Sequence, residues 1–336
     1  MKKTGPFLNA KLLCLLLALP LEAEDTVRIL QTNSAGDNIH IIDAATNKVV
    51  GIIEGVEVNH GIAAAPDASR FYVSNEADST LDVVDGKSLK VFKKIPLTGR
   101  PNNVAISTDG KRVYVAINVA PGAVDVIDTA LLDRVKSIPA KGGVHNTYVT
   151  PDGKFVVAGS ITGRMLTVIN YPSETVAWEL PMESGVRPMA FSRKPDGSTD
   201  KIFMNLSEHH GFVVIDFDTR KVEARITLPE PERTAVAYIA GTPSHGLAVA
   251  PNGKSVWCNS SLNSSVYGYS IPDLKLIGGV KVGVVPDWLT FSPEGILYVA
   301  NAGSNSTSAV DINSLKVKAI IPVGQVPKRN ITVVAH

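Results

Sequence analysis

The sequence predicts an all-β fold, a seven-bladed β-propeller of four-stranded antiparallel blades whose ring is closed by a C-terminal strand completing the N-terminal blade. Three observations predict it. The first is self-similarity: RFYVSNEADSTLDVVDGKSLKVFKKIPLTGRPNNVAISTDG (70–110) aligns with RVYVAINVAPGAVDVIDTALLDRVKSIPAKGGVHNTYVTPDG (112–153). The second is a turn that recurs at Pro66, Thr108, Pro151, Arg193, Pro251 and Pro293, at intervals of 42, 43, 42, 58 and 42 residues. Four short strands in forty-odd residues is the period of a propeller blade. The third lies in the ends. Residues 26–55 supply the last three strands of a blade, and NITVVA (330–335) supplies the missing first one. Closing the ring this way removes the exposed sheet edges that are a liability of β proteins.

Each repeat is built in the same order. An apolar strand leads into Asp-Gly or its equivalent, a hairpin signal when flanked by alternating β-branched and aromatic residues. A second strand such as RVYVA (112–116) follows, then a polar loop, a third strand ending in Val-Asp or Ile-Asp, and a closing strand around Lys-Val. The interval of 58 places extra residues in the fifth blade, in the turn RKPDGSTD (193–200) and the loop PEPERTAVAYIAGTPS (229–244). Residues 24–336 read as one domain.

Residues 1–23 read as a secretory signal peptide. Lys2 and Lys3 form the basic start, Leu12 to Leu21 the short apolar core, and Leu21-Glu22-Ala23 the cleavage site. The run is too short to span a bilayer comfortably, so the expected location is periplasmic or secreted, without membrane insertion after cleavage. An uncleaved anchor is the alternative. Cleavage removes Cys14 and leaves Cys258 alone, which excludes an internal disulfide, and SVWCN makes Cys258 a buried strand residue. Basic and acidic residues number 33 and 32, and that balance excludes a field for nucleic acid.

Aligning the repeats on the turn selects one position per blade, at the start of the innermost strand and hence at one mouth of the channel. It holds His60, Asn102, His145, Arg187, His245 and Asp287, with Lys328 or Arg329 from the closing strand. None is apolar and three are histidine. Seven histidines scattered over the chain would place about 0.15 at seven chosen positions. His209 and His210, with Glu208, lie in NLSEHHGF (205–212), in a loop expected on the same face, as is the loop holding Tyr238. Trp288, next to Asp287, can stack on a ligand or pack in the core.

Three imidazoles on one rim suit Zn, Cu or Fe, and three histidines with an open position is how a catalytic metal site is built. Two other readings stand beside this one: a polar site for a small ligand without metal, and histidines that hydrogen-bond neighbouring blades. In the ligand readings Arg187 and Lys328 or Arg329 counter a negative group, and Asn102 and Asp287 orient it.

FYVSN (71–75), VYVAIN (113–118) and LYVANAGSN (297–305), with PNNVAISTDGK (101–111) and PDWLTFSPEG (286–295), resemble the YVTN-type, YncE-like β-propellers. The resemblance covers residues 26–336. It implies the propeller fold and leaves function open, because such folds host binding proteins and scaffolds and related propellers carry metal centres or d1-type haem. The His-Gly-Ile/Leu-x-x-x-Pro segments are similar to those of streptogramin-lyase-type propellers. The expected function is an exported monomeric protein binding a metal ion or small anionic ligand at the rim. The alternatives are a metal-dependent lyase, lactonase or oxidoreductase using that centre, with an imidazole or Glu208 as base, and a scaffold for a protein partner without a small ligand. A tetrapyrrole is a further one, for which the chain is short.

Overall fold

The computed structural model describes residues 1–2, 26–232 and 241–335. Apart from its first two residues the signal peptide expected over 1–23 lies outside them, and so does Tyr238. The described chain forms seven four-stranded antiparallel sheets. Among the described residues no helix is long and apolar enough to cross a membrane.

Blade 1 joins the two ends of the chain. Its first strand is Pro327–Ala335, and Thr26–Asn33, Asn38–Asp43 and Lys48–Glu54 follow. Val27 pairs with Val334, Leu30 with Ile331, and Asn33 with Pro327. The closing strand thus begins three residues before the NITVVA segment that revealed it. Blades 2 to 7 each use four consecutive strands, and their first strands are Asn59–Ala64, Pro101–Ile106, Val144–Val149, Val186–Arg193, Leu247–Val249 and Pro286–Phe291. Every first strand packs on the first strands of both neighbouring blades, and this inner ring surrounds the channel.

The core lies between blades. Leu30, Ile39 and Val333 of blade 1 pack on Ile62, Phe71 and Val73 of blade 2, and equivalent layers repeat around the ring. Each fully buried side chain of this kind contributes roughly 1.5–3 kcal/mol of transfer free energy. Alternation along the second strands supplies both faces: in blade 2 Phe71 and Val73 face blade 1, and Tyr72 faces blade 3. Trp178, Trp257 and Cys258 are buried as expected, and Asn205 donates to the Cys258 sulfur at 3.3 Å.

The recurring turn needs a left-handed residue, and glycine takes that conformation without a Cβ penalty. Gly110, Gly153 and Gly253 adopt φ of 72°, 70° and 70° there, whereas blade 2 has Ala68 at 56°. The extra residues of blade 5 appear as a longer first hairpin, Val186–Arg193 with Thr199–Leu206, and a longer connection after Thr227.

Candidate functional site

The aligned position of the repeats is the second residue of the first strand in six blades, and the strand ladder is irregular there. Pairing shifts between Asn59 and Ile62, Pro101 and Val104, Val144 and Asn146, Val186 and Met189, and Pro286 and Trp288. Bulges of this kind re-aim side chains. They turn His60, Asn102, His145 and Arg187 to the mouth of the channel. In blade 6 a side chain does the same work: Oδ1 of Asn259 accepts from the backbone N–H groups of His245 and Gly246, at 2.8 and 3.0 Å. The register assigns the seventh position to Lys328. Arg329 is one residue further along and lies beneath.

The glycines after His60 and His245 follow from close packing of the inner ring. A Cβ on Gly61 would lie 2.5 Å from the Asn102 carbonyl oxygen and 2.7 Å from the Val104 nitrogen. On Gly246 it would lie 2.9 Å from Cα of Trp288. The His-Gly pattern is thus a packing requirement of the strands that carry the imidazoles.

These residues line a cavity of about 360 Å³ at the channel mouth: His60, Glu76, Arg100, Asn102, His145, Arg187, His245 and Lys328 all contribute. Nδ1 of His60 lies 2.5 Å from Oε1 of Glu76. Arg100 holds the other carboxylate oxygen, with Nε at 2.8 Å and Nη2 also in contact. Burial raises the Glu76 pKa, but the hydrogen bonds from His60 and Arg100 and the Arg100 charge outweigh it and hold the acid at about 2. The His60 pKa is lowered by burial and by the charges of Arg329 and Lys328, against the pull of Glu76. His60 is therefore neutral at pH 7, with its proton on Nδ1 facing the carboxylate. Its Nε2 carries a lone pair.

His145 and His245 pack edge to face with centroids 5.4 Å apart. Nδ1 of His245 donates to the backbone carbonyl of Asp287 at 3.0 Å. Burial pushes the His245 pKa down to about 3 despite the Asp287 charge, and pushes that of His145 well below its usual range. Nδ1 of His145 lies 2.5 Å from the amide nitrogen of Asn146. The Asn146 Oδ1 accepts from Arg329 at 3.2 Å, which fixes the amide's orientation. His145 Nδ1 is then an acceptor, and the proton sits on Nε2.

Arg187 donates through Nε to Ser207 at 2.8 Å and through Nη2 to the Gly241 carbonyl at 3.2 Å. Asp287 is fully buried, with Oδ1 3.5 Å from Nζ of Lys328 and 3.6 Å from Nδ1 of His245. Burial raises its pKa, but the charges of Lys328 and Arg329 hold it low. The cavity lining carries three cations, Arg100, Arg187 and Lys328; Arg100 pairs with Glu76 on the same lining and Lys328 with the buried Asp287.

Other expected residues lie elsewhere. Nε2 of His209 donates to the Ile226 carbonyl at 2.8 Å, within its own blade, and Nε2 of His210 meets Ser260 at 2.7 Å. Neither lines the cavity, and Glu208 is exposed beside them. Their loop runs along the blade rather than into the channel. Trp288 lies below the rim, where the Arg329 guanidinium sits 3.6 Å from its ring centroid and Tyr148 lies parallel to it. Sequence reading missed Glu76, Arg100 and Asn146. The repeat held the signal for two of them. The residue after the second strand is Ser34, Glu76, Asn118, Ile161, Ser207, Ser261 and Ala302, and the residue two before the aligned position is Val58, Arg100, Gly143, Gly185, Pro243, Val285 and Val326. Each row has a single charged member.

The residues do not fit a three-histidine metal centre. Among the described residues no group of three His, Cys, Asp or Glu side chains is placed to hold a metal ion. Such a centre needs an unprotonated nitrogen from each imidazole. His145 presents an N–H instead, because its Nδ1 faces an amide donor, and a divalent ion would sit among Arg100, Arg187 and Lys328.

A family model described as the cytochrome D1 heme domain matches residues 26–162. Antigen Lp49 of Leptospira interrogans is 32% identical over 83 residues, a stretch that covers 25% of this chain and 18% of that protein. Among solved structures, Kuenenia stuttgartiensis hydrazine synthase is 25% identical, covering 84% of this chain and 91% of that one, with a TM-score of 0.72. The Pseudomonas aeruginosa periplasmic gluconolactonase PpgL is 18% identical over 92% and 99%, with a TM-score of 0.74. The dihydro-heme d1 dehydrogenase NirN is 18% identical over 90% and 74%, with a TM-score of 0.60. The last two likenesses are of fold.

A d1-type haem is the group that the matching family implies. The cavity formed by the described residues does not fit it. The edge-to-face rings of His145 and His245 form part of its wall, and about 360 Å³ is at the low end of the range for drug-sized ligands.

Proposed function

We propose that this chain is an exported propeller of the YVTN kind that binds a small carboxylate- or phosphate-bearing ligand at the channel mouth. The observation that carries the reading is Arg187 on the cavity lining, whose guanidinium donates to Ser207 and the Gly241 carbonyl and has no carboxylate within ion-pair distance among the described residues. Arg100, paired with Glu76, and Lys328, paired with Asp287, lie on the same lining. Guanidinium groups suit planar, bidentate recognition of carboxylate and phosphate. Asn102 and the imidazoles supply neutral donors and acceptors around the anion. Export is supported by the leader-like order of residues 1–23 and by the periplasmic enzyme among the structural neighbours.

Titration calorimetry with succinate and with inorganic phosphate tests the reading. One of the two binds with one-to-one stoichiometry and weakens as salt rises, and Arg187→Gln weakens it at least tenfold. Failure of both to bind, or a Soret band in the purified protein, overturns it.

The His60–Glu76 pair favours a second reading, a lactonase or esterase. A neutral imidazole oriented by a carboxylate is a general base. Nε2 of His60 would take a proton from water as the water oxygen bonds to the ester carbonyl carbon. It would return that proton to the alkoxide as the carbon–oxygen bond breaks. Hydrolysis of an anionic lactone, abolished by both His60→Gln and Glu76→Gln, supports this reading. Activity that survives His60→Gln sinks it.

A further inference from the structure

Arg329 is 1% exposed, and among the described residues no carboxylate is within ion-pair distance of it. It reaches across the channel from blade 1 to blades 3 and 4, where Nη2 donates to Oδ1 of Asn102 at 3.0 Å and of Asn146 at 3.2 Å. Its other donors, Nε and Nη1, are buried and have no partner among the described residues. A buried charge normally pairs or is neutralised. Burial lowers the Arg329 pKa only to about 10, so the guanidinium keeps its charge at neutral pH. Stacking on Trp288 offsets part of the cost and leaves those two donors unmatched.

The guanidinium does not line the upper cavity. It lines a second one, of about 300 Å³, on the opposite side of the layer it forms with Trp288 and Tyr148. The walls there are the later residues of the first strands, among them Ile62, Ile106, Val149, Leu289 and Ile331. A cavity walled mostly by apolar side chains, with Asn103, Thr147, Thr290 and Asn330 among them, thus has on its lining a fixed cation with two unmatched donors. That is the complement of an acid with a carboxylate at one end and a short hydrocarbon body behind it.

We propose that the lower half of the channel is a separate binding site for a small amphipathic carboxylic acid, with the carboxylate on Nε and Nη1 of Arg329 and the hydrocarbon between the first strands. The site is independent of anion binding at the upper mouth. Arg187 serves the upper site, Arg329 the lower.

The test uses hexanoate and its neutral counterpart 1-hexanol, followed by calorimetry and by the fluorescence of Trp288 beneath the guanidinium. With the upper site held by saturating succinate, hexanoate binds one to one and at least tenfold tighter than hexanol. Arg329→Met removes the preference for the acid. Ala105→Phe, which fills the lower cavity and leaves the guanidinium in place, removes binding of both probes. Arg187→Gln changes neither. Equal affinity for hexanol and hexanoate, loss of hexanoate binding in Arg187→Gln, or binding that survives Ala105→Phe overturns the proposal. So does a parent protein that binds neither probe. If Arg329→Met does not fold, Ala105→Phe and the hexanol comparison still decide.

Discussion

Nδ1 of His60 and Oε1 of Glu76 lie 2.5 Å apart, and Arg100 grips the second oxygen of the same carboxylate. Blades 2 and 3 thereby share one buried anion. Both cationic and neutral donors point at it, so its charged form is favoured by the fold and by nothing in the unfolded chain.

Glu76 titrates at about 2 in the fold against 4.5 in the unfolded state. A depressed acid stabilises the fold above its unfolded pKa, and that contribution is lost as pH falls through the folded one. Glu76→Gln is therefore less stable than the parent at pH 7, by up to about 3 kcal/mol. The gap between the two proteins shrinks below pH 4.5. Denaturant midpoints of both at pH 7, 5 and 4 check this. A gap that is constant across the series would mean that the carboxylate charge contributes nothing.

His245 acts in the same direction for a different reason. It is buried as the neutral form, with a folded pKa of about 3 against 6.5 unfolded. Its neutral form is favoured by folding above pH 6.5, and stability declines as pH falls below that value toward the folded pKa, at about 1.4 kcal/mol per unit for one group. His245→Gln flattens the stability profile between pH 6.5 and 4 by about that slope. Thermal melts across this range measure it. An unchanged slope would place the titration on other groups.

Gly61→Ala sets a Cβ against three backbone atoms of the neighbouring inner strand, all within 2.8 Å. Backbone cannot yield as a flexible side chain does, so the cost is about 3 kcal/mol, the upper end for overpacking. Gly246→Ala meets its nearest atom at 2.9 Å and costs less. Comparing the two unfolding free energies tests the packing account of both His-Gly pairs.

Zinc added in slight excess over the protein produces no rise in melting temperature and no stoichiometric metal after desalting. The protonated Nε2 of His145 and the surrounding guanidinium groups are the reason. Stoichiometric zinc that is lost in His60→Ala, His145→Ala and His245→Ala alike would restore the metal reading.

The blades were legible because their signals are local and repeated. Alternation, the Asp-Gly turn and the terminal segments needed no tertiary information. The mouth was legible where the repeat supplied a ruler, which put His60, His145, His245, Asn102, Arg187 and Lys328 on one cavity. Residue type alone sets His209 and His210 beside the rim histidines but carries no direction, and their rings turn to the Ile226 carbonyl and to Ser260. Glu76 and Arg100 stand out only in rows of the repeat beside the aligned one, where each is the single charged member. The opposed roles of Lys328 and Arg329 had no local signal. Adjacent residues of a strand point to opposite sides, and only the register with Thr26–Asn33 decides which of them faces the mouth.

The pairing of Val27 with Val334 also orders events in time. Synthesis delivers the first three strands of blade 1 some three hundred residues before their partner. Until then their inner edge is open, and six complete blades form an arc with two unsatisfied ends. Pairing between residues so far apart in sequence makes closure slow, since a long loop must be brought together before any contact rewards it. The opening on blade 1 is therefore the place where a strand from another molecule could enter first. The speed with which residues 327–335 arrive decides whether the ring closes on itself or on a neighbour.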